Sequence, residues 1–193
     1  MGKGRLEAFT DGVIAIIITI MVLGLPVPQG GQFADLKPVL PLLLAYLLSF
    51  VNVGIFWNNH HHMLHAVKKV NGISLWANLG LLFALSLLPL VIRWVDQAGI
   101  HAAMPTAAYG LVLTAAAVAY QVLERALMHA NGRERSDLAS AIGNDYKGIV
   151  SLLAYVAAIP LAFVNVWIAD ALYVAVAVAW FIPDPRIETK VKS

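Results

Sequence analysis

The sequence predicts an all-α, polytopic integral membrane protein with six transmembrane helices, and three observations carry that prediction. Hydrophobic residues make up 60% of the 193-residue chain and charged residues 12%, against roughly 45–50% and about 25% in an ordinary soluble domain. Six apolar stretches lie along the chain, most of them near the ~20 residues that cross a bilayer core. Lys and Arg gather in alternate connecting segments, the pattern of cytoplasmic loops.

The first span covers about Leu6 to Leu25 and is ended by Pro26 and Pro28, since proline cannot continue a helix. Lys3 and Arg5 resemble the basic start of a signal peptide, but Glu7 and Asp11 interrupt it and no small-x-small cleavage site follows. The first span is therefore expected to be retained. The second covers about Val39 to Trp57, entered through Pro38 and Pro41. The third runs from about Ile73 to Val95 and the fourth from about Thr106 to Met128. The fifth, about Ile149 to Val166, and the sixth, about Ala169 to Ile182, leave only Asn165 to Asp170 for a tight turn. Fused, they would form a helix about 50 Å long, too long for a bilayer core of ~30 Å. All six form one domain over residues 1–193.

With the N-terminus inside, the cytoplasmic side holds Lys3, Arg5, Lys68, Lys69, Arg125, Arg133, Arg135, Lys147, Arg186, Lys190 and Lys192. Only Lys37 and Arg93 fall outside. An odd number of spans would strand the last three cations outside, so both termini are expected in the cytoplasm. Asn165 and Asp170 read as turn residues of the outer hairpin, and Arg125 as a snorkelling side chain late in the fourth span. Glu124 beside it has no second carboxylate nearby in sequence for a proton relay.

Much chemistry is excluded. The chain has no cysteine, hence no disulfide, iron–sulfur cluster or thiolate nucleophile. No dense basic run with aromatics points to nucleic acid. There is no phosphate-binding Gly-x4-Gly-Lys-Ser/Thr, no His-Glu-x-x-His and no Gly-x-Ser-x-Gly. An enzyme is not expected, and no cofactor. The Thr-Val-Gly-Tyr-Gly carbonyl filter is absent, and no span carries an arginine ladder.

The positive signal is Arg5-Leu-Glu-Ala-Phe9-Thr10-Asp11-Gly12 at the mouth of the first span. By its chemistry alone Asp11 is an anchor: placed where the helix begins, a carboxylate caps free N–H groups and meets the positive dipole end. The segment resembles the Arg-x-x-x-Phe-Ser-Asp motif that opens the first helix of the transmembrane protein 175 family of potassium-permeable channels. Thr10 replaces the usual serine and keeps the hydroxyl. The resemblance continues through Ala15-Ile16, Thr19 and Met21-Val22-Leu23, then Trp57-Asn-Asn-His60-His61, then Asn78 and Leu87-Leu88-Pro89. It covers about the first half of the chain by named residues and the second half by hydropathy and loop order.

The resemblance implies a homotetramer, like the single-repeat prokaryotic members, with four first helices around a central pore. It places an aliphatic constriction at Ile16, Ile20 and Leu23, and a polar ring at Thr19. It also implies a cytoplasmic-side scaffold of Arg5, Phe9, Thr10, Asp11, Trp57, His60, His61 and Asn78. Helix geometry agrees in part: steps of four and three put Ile16, Ile20 and Leu23 on one face. Periodicity cannot select that face, because Ile16, Ile17, Ile18 and Ile20 cover the helix all round. Thr19 could equally bond a carbonyl one turn back.

His60, His61, His62 and His65 include a chelating i, i+4 spacing at His61 and His65. At the end of a span they read instead as partners for the last carbonyls, and no structural metal is expected. Histidine also makes pH sensitivity an open reading. The function implied by the resemblance is a leak-type channel in a prokaryotic plasma membrane, weakly selective for potassium over sodium. Its partners would be lipid, monovalent cations and copies of itself. A small secondary transporter, or a membrane enzyme or assembly subunit, are the alternatives.

Overall fold

The computed structural model describes residues 2–132 and 146–181. The cations Arg133, Arg135, Arg186, Lys190 and Lys192, and the end of the sixth expected span at Ile182, lie outside the described residues.

Every regular element among the described residues is helical. These are α1 (Lys3–Leu23), a 3₁₀ turn (Phe33–Leu36), α2 (Leu40–His65), α3 (Gly72–Ser86), α4 (Leu88–Ala98), α5 (Ala103–Ala130), α6 (Tyr146–Val164) and α7 (Val166–Phe181). By length and composition α1, α2, the α3–α4 pair, α5 and α6 can each cross a membrane. Helix α7 has 16 residues, about 24 Å of rise.

Two breaks have local causes. At Leu87 the N–H reaches back to Ala84 at 3.2 Å, a tightened turn. Pro89, in the first turn of α4, has no N–H to continue the ladder. At Asn165 the side-chain oxygen accepts the Trp167 N–H at 2.9 Å and so caps α7. The Lys147 ammonium sits 5.5 Å from the centre of the Trp180 ring, and Trp180 Nε1 donates to Ser151 Oγ at 2.9 Å. The start of α6 thus meets the end of α7, and the pair is an antiparallel hairpin, not one fused rod. Asn165 is the turn residue expected, whereas Asp170 lies inside α7.

Polar ties gather alternate helix ends. Lys3 Nζ donates to the Val67 carbonyl at 3.2 Å. Asn131 Oδ1 accepts the N–H groups of Lys68 and Lys69 at 3.0 and 2.9 Å. These bonds join the start of α1 to the ends of α2 and α5. At the opposite end the Arg93 stem packs beside Gly24, and the His101 and Trp167 rings lie 5.2 Å apart.

Helix α5 is central and packs against α3, α4, α6 and α7. Leu113, Ala116, Leu123 and Leu127 of α5 are fully buried, and Ala158, Ala169 and Ala177 of α6 and α7 are buried in the same bundle. Small residues let helices approach closely where lipid supplies no hydrophobic drive. Inside this core Tyr109 takes hydrogen bonds from Ser49 and Asn52 at 3.2 and 3.3 Å, and Tyr155 donates to Asn52 Oδ1 at 3.1 Å. Tyr173 donates to the Thr106 carbonyl at 3.0 Å. Each of these buried polar groups is partnered, as burial requires.

Candidate functional site

Helix α1 is bound to the bundle along one stripe. Leu6, Thr10, Ile14, Ile17 and Met21, spaced by threes and fours, are buried against the other helices. A second stripe runs through Arg5, Phe9, Gly12, Ile16, Ile20 and Leu23 and is exposed. Ile16 is 57% exposed, Ile20 50% and Leu23 82%, whereas Ile17 is 3% exposed. Tertiary packing thus sorts a run of isoleucines that periodicity leaves degenerate. Thr19 borders the exposed stripe, and its hydroxyl donates to the Ile16 carbonyl at 2.9 Å. A hydroxyl that donates this way keeps its lone pairs for a further partner.

The scaffold lies at the end of the bundle where α1 begins. Asn78 in α3 is completely buried between two elements. Its Nδ2 donates to Thr10 Oγ1 at 2.9 Å, and its Oδ1 faces His60 Nε2 at 2.8 Å. With the amide nitrogen committed to Thr10, the amide oxygen is the acceptor and His60 Nε2 carries the proton. A single asparagine therefore ties α1, α2 and α3 together. Nearer the surface Trp57 Nε1 donates to Asp11 Oδ1 at 2.8 Å. His61 stacks on Trp57 with ring centres 5.9 Å apart, and its Nδ1 faces Glu7 Oε1 at 3.3 Å.

Several expectations need correction. Asp11 does not cap the helix: α1 starts at Lys3 with Gly2 as its cap, and Asp11 sits about two turns in. The extra turns are held by buried Leu6 and by the Lys3 bond to Val67. The Arg5 side chain is exposed and makes no hydrogen bond or ion pair among the described residues. Six residues of helix turn it away from Asp11, so the two cannot share a face. Phe9 is also exposed, on the second stripe, and does not join the bonded set. His60 and His61 do not serve the last carbonyls of α2, because the helix runs on to His65 and their partners come from other elements.

Glu7 enters the site through His61, although in sequence it marked only an interrupted basic run; its i, i+4 spacing from Asp11 was the available signal. The buried polar set of Ser49, Asn52, Tyr109, Tyr155 and Tyr173 was also missed. Its signal was a pair of polar residues three apart in an apolar span, which in lipid need partners.

A family model described as "Endosomal/lysosomal potassium channel TMEM175" matches residues 5–89. A potassium channel of Chryseobacterium sp. (strain P1-3) is 51% identical over 192 residues, covering 100% of this chain and 99% of the relative. The human endosomal/lysosomal proton channel TMEM175 is 36% identical over 96 residues, 43% of this chain and 19% of the human one. Among solved structures, the crystal structure of a lysosomal potassium-selective channel TMEM175 homologue from Chamaesiphon minutus superposes with a TM-score of 0.75. That match has 27% identity and covers 93% of this chain and 96% of the homologue. The family-model match, the 51% identity over the whole chain and the structural match together establish that the chain belongs to the TMEM175 family.

Proposed function

We propose that this protein is a potassium-permeable channel whose pore is lined by α1 from four copies of the chain. The observation that carries this reading is the second stripe of α1. It leaves Ile16, Ile20 and Leu23 uncovered on the helix that bears the motif. Four-fold symmetry turns each residue into a ring, and Ile16 and Leu23 lie about 10 Å apart along the axis. Such rings form an aliphatic neck that can dewet and so gate. The neck offers an ion no replacement for its hydration shell, so the ion that sheds water more readily, potassium, is favoured over sodium, though weakly.

The Asn78 junction and the Trp57–Asp11 bond hold α1 at a fixed angle from behind, leaving the neck side free. Thr19 supplies a hydroxyl ring within the neck. Six crossings, with both termini in the cytoplasm of a prokaryotic cell, fit the hairpin of α6 and α7 and the side on which Lys3, Lys68 and Lys69 gather. Permeant cations are the only ligands the activity needs. The relatives are named both potassium and proton channels, so proton flux belongs in the same experiment.

Flux into proteoliposomes containing only this protein tests the proposal. Potassium is expected to enter faster than sodium, without saturation or a coupled counter-ion. Ile16→Ala and Leu23→Ala are expected to raise flux and lower the potassium-over-sodium ratio. Saturable, counter-ion-dependent uptake, or unchanged flux in both variants, would overturn it.

A further inference from the structure

We propose that Glu7, His61 and His65 form a binding site for a zinc-class divalent transition-metal ion, which staples the start of α1 to the end of α2. One ligand atom from each of the three lies within 4.8 Å of the other two. Tetrahedral zinc with bonds of 2.0–2.1 Å needs its ligand atoms about 3.3 Å apart. The Glu7 to His61 separation is already 3.3 Å. The rings of His61 and His65, one helical turn apart, have centres 4.4 Å from each other. His65 is the exposed member, so rotation of its side chain closes the remaining distance without moving a backbone.

The surroundings prepare these groups. Lys3 is i, i+4 from Glu7 and would ordinarily pair with it. Its ammonium is instead engaged by the Val67 carbonyl, leaving the carboxylate turned to the histidines. Stacking on Trp57 orients the His61 ring. Two imidazoles and one carboxylate, with water in the fourth position, select zinc-class ions over magnesium or calcium, which prefer all-oxygen shells. The site is separate from the aliphatic stripe and from the Asn78 junction, and it does not depend on the channel reading.

A simple Glu7–His61 ion pair is the rival account, and it has no use for His65. Calorimetric titration of zinc chloride into the metal-stripped, detergent-purified full chain separates the two. One zinc per chain is expected, with binding weakened about tenfold or more in both His65→Ala and Glu7→Gln. Zinc is expected to raise the melting temperature of the wild-type protein and to raise that of His65→Ala less; magnesium is expected to raise neither. His65 is exposed, so its alanine variant keeps the fold even if Glu7→Gln does not. Equal zinc affinity in the wild type and His65→Ala, or no zinc uptake by the wild type at micromolar concentrations, would overturn the site.

Discussion

Asn78 shows how much one side chain can hold. It bonds Thr10 and His60 at once, both fully buried. Asn78→Ala strands both partners, and unsatisfied buried groups cost about 1–3 kcal/mol each. The variant is expected to unfold at a lower denaturant concentration in detergent. An unchanged midpoint would mean that water replaces the amide. Asp11 separates geometry from charge: its bond to Trp57 needs an acceptor, which Asp11→Asn retains and Asp11→Ala lacks. The asparagine variant is expected to keep near-wild-type stability and the alanine variant to lose ~1 kcal/mol, read by the same denaturant unfolding. The resemblance named Thr10, Asp11, Trp57, His60, His61 and Asn78 together, and hydrogen bonds and a ring stack link them in pairs. The role of Asp11 was not legible, because the helix start depends on where Leu6 packs. The exposure of Ile16 against the burial of Ile17 was hidden for a similar reason. Four isoleucines look alike in sequence, and only the neighbours α2, α3 and α4 tell them apart.

Helix existence was legible throughout, since each span is a long apolar run whose backbone must satisfy itself in lipid. Boundaries were not. Helix α2 continues eight residues past Trp57 to His65, because the polar histidines find partners on α1 and α3. The Leu87 break in the third span was invisible in hydropathy, although Pro89 stood there. The hairpin of α6 and α7 was foreseen from length and from the alternation of Lys and Arg, and Asn165 supplies its cap. One close approach sets the spacing of α5 and α7. A Cβ on Gly110 would collide with the Tyr173 hydroxyl, which is bonded to the Thr106 carbonyl. Gly110→Ala is therefore expected to destabilise by about 1–3 kcal/mol, the usual cost of overpacking. Tyr173→Phe removes the colliding oxygen and is expected to restore part of that loss. A double-mutant cycle in detergent checks the coupling, and additive losses would show that the clash relaxes elsewhere.

For the whole molecule, a single chain leaves the second α1 stripe exposed while the stripe of Leu6, Thr10, Ile14, Ile17 and Met21 is buried against the bundle. The assembly proposed above gives that stripe its purpose. It predicts a particle of four chains by native mass spectrometry or light scattering; a monomer would contradict it. The chain is free of cysteine, so a single introduced thiol reports on one position cleanly. Leu23 is 82% exposed at one end of the stripe, and Phe83 is 67% exposed on α3, about 140° round that helix from Asn78, which bonds α1. The most direct measurement is potassium flux through Leu23→Cys proteoliposomes before and after a positively charged thiol reagent, with Phe83→Cys alongside. The account predicts that modification blocks flux through Leu23→Cys and leaves Phe83→Cys unaffected. Undiminished flux through Leu23→Cys, with labelling verified by mass, would contradict a pore built from α1.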